Sequence, residues 1–196
     1  MEKILEICVD SLASARNAIA GGADRLELCS ALAVGGLTPY TALLKQIRRE
    51  SDIPIRCLMR PRPGDFLYTA EELDLLREQI VELKQEGADG FVIGCLTPDG
   101  NLDKPATKYL MEACSSSVTL HRCIDVSADP ERTYLDAAEL GIDTVLTSGC
   151  ASSCLSGKEM LKRLIALRDS LNGPEVLIGA GVNASVITQL RSEERV

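Results

Sequence analysis

Seven short runs rich in Ile, Leu and Val constrain this chain more than any other feature; they fall at residues 4–9, 25–29, 55–59, 90–94, 118–121, 144–147 and 176–179. Their starts lie roughly 20 to 35 residues apart with segments of helical spacing between them, the rhythm of strand–helix–strand units. The runs are near-continuously apolar, as strands of a helix-covered parallel sheet are. A weak repeat argues for one architecture throughout. Gly22-Ala-Asp24, Gly87-Ala-Asp89 and Gly141-Ile-Asp143 each close a helical segment and lead into a run. Glycine suits the left-handed residue that ends a helix, where a Cβ is costly.

Helices are expected over residues 11–20 with Ser11 as cap, 38–50 with Pro39 in the first turn, and 69–86 with Thr69 and Glu72 as a capping box. Others are expected over 104–113, 130–140, 157–171 and, capped by Asn183, 184–191. Strict alternation leaves an open doubly wound sheet or a closed barrel. A doubly wound nucleotide fold carries a glycine-rich turn after its first strand; here the first run enters Cys8-Val-Asp-Ser-Leu12. Polar residues instead recur on many strands, at Glu6, Glu27, Arg60, His121, Asp125 and Ser148. Barrel sites draw on several strand ends in this way. The expected fold is therefore α/β, a TIM (β/α)8-type barrel forming a single domain over residues 1–196. Seven runs are read where a closed barrel needs eight, so the barrel is expected to lack its eighth β/α unit.

The 196 residues carry a net charge of −8, and aromatics make up 3% of them, with no basic run among them. That balance argues against nucleic acid as a partner. No stretch has the length of a membrane span and the N-terminus has no signal-peptide pattern. A cytoplasmic setting is expected. The eight cysteines form no CxxC pair and sit mostly in apolar runs, which predicts free, buried thiols.

Period-two alternation puts Glu6 and Cys8 on one face of the first strand, and Glu27 and Cys29 on one face of the second. Adjacent strands lie about 4.8 Å apart, so Cys8 and Cys29 are candidate ligands of one soft ion, for which Cu(I) suits two thiolates. Small core fillers are the plain alternative. Glu6, Glu27, His121 and Asp125 are candidate acid/base groups, Glu6 or Glu27 if burial raises its pKa. In the stretch 57–68, Arg60, Arg62 and Asp65 sit among Pro61, Pro63 and Gly64. This is a shaped loop for an anionic or polar ligand, or a stiff turn with an internal Arg–Asp pair. Arg122, Ser148, Gly149, Gly179 and Gly181 are further candidates to bind an anion, the glycines through backbone amides. Glu6, Glu27, Arg60 and His121 are expected to crowd a common opening.

Taken as an ordered set, several motifs resemble the CutC family of copper homeostasis proteins. They are Leu5-Glu-Ile-Cys8, Gly22-Ala-Asp-Arg-Leu-Glu-Leu-Cys29, Gly35-Gly-Leu-Thr-Pro39, Met59-Arg-Pro-Arg62, Gly64-Asp-Phe-Leu-Tyr68, Thr119-Leu-His-Arg122 with Asp125, Leu146-Thr-Ser-Gly149 and Gly179-Ala-Gly-Val182. The resemblance implies a TIM barrel, a cytoplasmic homodimer and copper handling, with Cu(I) at positions matching Cys8 and Cys29. It leaves open an enzyme acting on a small anionic or polyhydroxylated molecule. Leu120, Cys123 and Ile124 depart from the family pattern, and its eighth strand is not found here.

Overall fold

A computed structural model describes residues 4–114 and 116–192. Among them are seven strands: β1 (Glu6–Val9), β2 (Arg25–Leu28), β3 (Ile55–Leu58), β4 (Gly90–Ile93), β5 (Ser117–Leu120), β6 (Thr144–Thr147) and β7 (Glu175–Ile178). Seven α-helices alternate with them: α1 (Leu12–Ala20), α2 (Thr41–Arg48), α3 (Ala70–Gln85), α4 (Lys104–Cys114), α5 (Pro130–Leu140), α6 (Lys158–Leu171) and α7 (Ala184–Ser192). The strands are neighbours in chain order, β1 to β7, with parallel pairing. Sequential parallel strands joined by helices are the topology of the TIM-barrel class. The chain divides into two compact units, Met1–Ile93 with Tyr109–Val118, and Gly94–Lys108 with Thr119–Val196.

In the first unit the sequence signals set the helix ends. Ser11 and Ser14 form a capping box on α1, and Thr69 and Glu72 form one on α3. Leu76, Ile80 and Leu83 of α3 are fully buried, while Leu73 on the same stripe is half-buried. One start was misplaced. The helix expected from residue 38 begins at Thr41, because Thr38 is tied to the end of β3. Its N–H donates to the Arg60 carbonyl at 3.0 Å and its Oγ1 accepts from the Arg60 N–H at 3.0 Å. Pro39 then keeps the preceding residue extended.

The glycine–aspartate repeat works as a strand-start device. Gly22 and Gly87 are left-handed, with φ of +85° and +97°. Each following aspartate satisfies the backbone of the strand beside it. Asp24 accepts the Leu5 N–H at 2.7 Å, and Asp89 accepts the Ile55 N–H at 2.7 Å. These N–H groups precede or begin a strand and would otherwise lack a partner.

In the second unit Asp129 caps α5 by accepting the Arg132 N–H at 3.0 Å, with Pro130 in the first turn. Asn183 caps α7 through the Val186 N–H at 3.1 Å. Cys154, Leu161, Val186 and Leu190 form an apolar cluster that Leu155, Val176 and Ile178 pack against. Gly149 and Gly157 touch backbone to backbone: a Cβ on Gly149 would lie 2.2 Å from the Gly157 carbonyl oxygen. Among the described residues no helix is long and apolar enough to cross a membrane.

Candidate functional site

Strand register arranges the first unit in rows. Cys8 pairs with Glu27, Glu27 with Arg56, and Arg56 with Gly90, so these four share one row and one face. Gly90 is confined chiefly by the neighbouring backbone: a Cβ there would meet the Ser117 carbonyl oxygen at 2.7 Å, and Arg56 Cγ at 3.2 Å. One row nearer the strand starts, Glu6 pairs with Arg25 and forms an ion pair with it. One row nearer the strand ends lies an apolar cluster of Cys29, Leu58 and Val92. Side chains on the other face, among them Leu26, Leu28, Ile55, Cys57, Phe91 and Ile93, are buried and apolar.

Glu27 is the centre of the charged row. It is 5% exposed, and its Oε2 accepts the Cys8 thiol at 2.6 Å. Burial pushes its carboxyl up to about 7, and Glu6 adds to that, while the Cys8 hydrogen bond, Arg25 and Arg56 pull it down. The thiols respond in kind. Loss of solvent around the sulfur, then the Glu27 charge, pushes Cys8 up. Cys29 is pushed up to about 12 by burial, then by Glu27 and Asp10. Both thiols therefore hold their protons at neutral pH. All eight cysteines are free, as expected; Cys8 is exposed as a residue although its sulfur is turned onto Glu27, and Cys150 is half-buried rather than buried.

Arg60 lies beyond the apolar row. It is four residues past the partner of Glu27, about 13 Å along a strand. Between the Glu27 row and Arg60 lies the apolar row of Cys29, Leu58 and Val92. Arg60 is 9% exposed and its guanidinium serves as a strap. Nη1 donates to the carbonyls of Val34 at 3.0 Å and Gly36 at 3.1 Å, Nη2 donates to Gly64 at 3.1 Å, and the group packs over Phe66. It thus joins the loops after β2 and β3. Arg62 is the internal pair: it meets Asp65 at 2.9 Å, Glu72 at 2.5 Å and the Leu67 carbonyl at 2.7 Å.

In the second unit the centre is Asp125, in a short 3₁₀ turn (Arg122–Val126) after β5. His121, 4% exposed, caps that turn: its Nδ1 accepts the Cys123 N–H at 3.2 Å, which assigns the ring proton to Nε2. The Asp125 carboxylate accepts from Thr147 Oγ1 at 2.5 Å, the Ser148 N–H at 3.1 Å, Ser148 Oγ at 2.9 Å and the Cys150 N–H at 3.2 Å. Arg122 Nε adds a bond at 2.7 Å. Burial alone would raise this carboxyl, but the donors from Thr147, Arg122 and Ser148 outweigh it and hold it below its ordinary value. Asp125 is thus an ionised hub, not a group that titrates near neutral pH.

Of the strand-end amides expected to cradle an anion, those of Ser148, Gly149 and Gly179 are engaged within the protein. The N–H groups of Ser148 and Cys150 hold Asp125, that of Gly149 donates to Thr147 Oγ1 at 2.9 Å, and that of Gly179 donates to the Thr147 carbonyl at 2.9 Å. Gly149 and Gly181 are left-handed, with φ of +73° and +75°, so their glycines serve the turn. Sequence reading missed Thr147 and Cys150 as partners of Asp125, Arg25 as partner of Glu6, and the Arg56–Gly90 pairing. Among the described residues no group of three or more His, Cys, Asp or Glu is placed to hold a metal ion.

A family model described as CutC family matches residues 3–195. A family protein CutC of Vibrio campbellii is 41% identical over 199 residues, covering 100% of this chain and 80% of the relative. The human copper homeostasis protein cutC homolog is 46% identical over 163 residues, covering 83% of this chain and 60% of the relative. A CutC crystal structure from Streptococcus agalactiae superposes with a TM-score of 0.89 at 26% identity, covering 97% of this chain and 94% of that one. An aldolase, QR15, at 12% identity and a TM-score of 0.64 over 98% of this chain and 87% of that one, shares the fold alone.

Proposed function

This chain belongs to the CutC family, and from that premise we propose that it serves copper homeostasis by binding Cu(I) through Cys8 and Cys29. The observation that carries this reading is their placement. The two thiols lie on adjacent parallel strands, on one face and in successive rows, with Glu27 beside both. Cu(I) accepts two soft thiolates. A pair of sulfurs without a third ligand suits that ion better than one requiring four. The thiol protons must leave on binding, and the nearby carboxylates favour a cation over an anion there. Cytoplasmic location and a homodimer are part of the same reading.

The test is a Cu(I) titration of the full chain against a competing chelator. One ion per chain is expected, lost in the variant carrying Cys8→Ser with Cys29→Ser and retained in Arg60→Ala. Equal binding by wild type and the double-serine variant would falsify the copper reading.

One observation favours a second reading, an enzyme acting on a small anionic or polyhydroxylated molecule. Glu27, raised to about 7 beside Arg56, is placed to hold or take a proton near neutral pH. Turnover that dies in Glu27→Gln and survives both serine substitutions would select this reading over copper binding.

A further inference from the structure

We propose that Arg122 is an anion-binding side chain of the second unit, presenting its outward guanidinium edge to the carboxylate or phosphate group of a small ligand. The inference is independent of copper binding by the first unit. It begins with elimination. Arg60 is taken up by three backbone carbonyls, and Arg62 by two carboxylates and a carbonyl. The amides of Ser148, Gly149, Cys150 and Gly179 have internal acceptors. Of the candidate arginines, Arg122 alone keeps part of its guanidinium open.

It is fixed from behind by buried groups. Nε donates to Asp125, whose side chain is 6% exposed, and Nη2 donates to the fully buried Ser148 at 3.1 Å. The His121 cap holds the turn that carries it. A guanidinium has five N–H donors; both Nη1 protons and the second Nη2 proton meet no acceptor among the described residues. That Nη1–Nη2 edge is the one that grips an oxyanion with two parallel bonds. The side chain is 45% exposed, so the edge is reachable. Thr147, Ser148 and Cys150 supply four further donors to Asp125, so the carboxylate is anchored from behind as well as by Arg122 Nε. The hub they fix stops the arginine from moving, which lowers the entropy lost on binding.

The experiment titrates the full chain with inorganic phosphate and, separately, malonate at constant ionic strength, following the backbone amide resonances of Ser148 and Cys150, which persist when Arg122 is substituted. Saturable movement with phosphate alone assigns a phosphate ligand, and with malonate alone a carboxylate ligand; either supports the proposal. Arg122→Ala should weaken binding by about tenfold or more, the scale of one charge-assisted bidentate pair. Arg122→Lys keeps the charge, loses the fork and should remain weakened. Arg16→Ala, at an exposed pair in the first unit, should change nothing. No saturable movement with either anion, wild-type affinity in Arg122→Ala or Arg122→Lys, or equal weakening in Arg16→Ala overturns the proposal. If Arg122→Ala fails to fold, the resonance titration and Arg122→Lys decide it.

Discussion

The two units each bury a carboxyl on the strand face or strand end where chemistry was expected, and they treat it in opposite ways. Glu27 is 5% exposed and is pushed up to about 7; the Asp125 side chain is 6% exposed and is held below its ordinary value. As whole residues Glu27 is buried and Asp125 half-buried, so burial accounts for part of the difference. Donors account for the rest. Glu27 receives one weak thiol hydrogen bond, with the negative Glu6 nearby. Asp125 receives two hydroxyls, two backbone amides and a guanidinium. Hydrogen bonds to the charged form offset desolvation in one unit and fall short in the other. The first unit thus keeps a proton available near neutrality, while the second keeps a permanent charge as a fastening.

Removing the fastening should have the largest effect. Asp125→Ala leaves the Ser148 and Cys150 amides and the Thr147 hydroxyl without their acceptor, and Arg122 without its counter-charge. A loss of about 2–4 kcal/mol is expected, the cost of leaving buried amides and a hydroxyl without their acceptor. Urea unfolding at pH 7 measures it. A loss below about 1 kcal/mol, the size of an exposed pair, would break the comparison by showing that Asp125 is not a buried hub.

Glu27→Gln comes next, with the opposite sign. The folded-state pKa of about 7 lies above the ordinary 4.5, so the folded protein holds this proton more tightly than the unfolded chain does. The stabilisation is therefore fully present below about pH 4.5 and is lost as pH rises through 7. Above that, the buried carboxylate is a burden that glutamine removes. The variant should gain up to about 3 kcal/mol over wild type at pH 8 and nothing at pH 4.5. Parallel unfolding curves of the two proteins at both pH values test this; a constant difference would mean that Glu27 is not raised.

Much of this molecule could be read before its structure. Thr144–Thr147 and Pro130–Leu140 fall where periodicity, Pro130 and Gly141 put them, because these signals are local. The shared face of Glu6 with Cys8, and of Glu27 with Cys29, follows from alternation alone. Register is another matter. That Cys8 sits beside Glu27, and Cys29 one row further on, depends on how two strands slide, which neither strand encodes by itself. The hub was also hidden. Thr147 and Cys150 meet Asp125 across 22 and 25 residues, through a turn whose left-handed Cys150 no pattern announces. Arg60 and Arg62 stand out in the sequence among prolines and a glycine, but whether they face a ligand or their own loop is fixed by carbonyl positions that sequence does not carry.

The smallest effect bears most directly on the donor argument. Cys8→Ser replaces a weak S–H donor by a stronger O–H donor at an exposed residue. Its effect on stability at neutral pH should stay within about 1 kcal/mol, the net value of one hydrogen bond. Its effect on Glu27 should nonetheless be visible. A better donor to the carboxylate favours the ionised form, so the titration midpoint should fall below its value of about 7. Carbon-13 NMR of the Glu27 carboxyl reads this directly. If the hydroxyl leaves the midpoint in place, donor strength at Cys8 does not set the proton affinity of Glu27, and the contrast with Asp125 would have to come from the surrounding charges, Glu6 in one unit and Arg122 in the other.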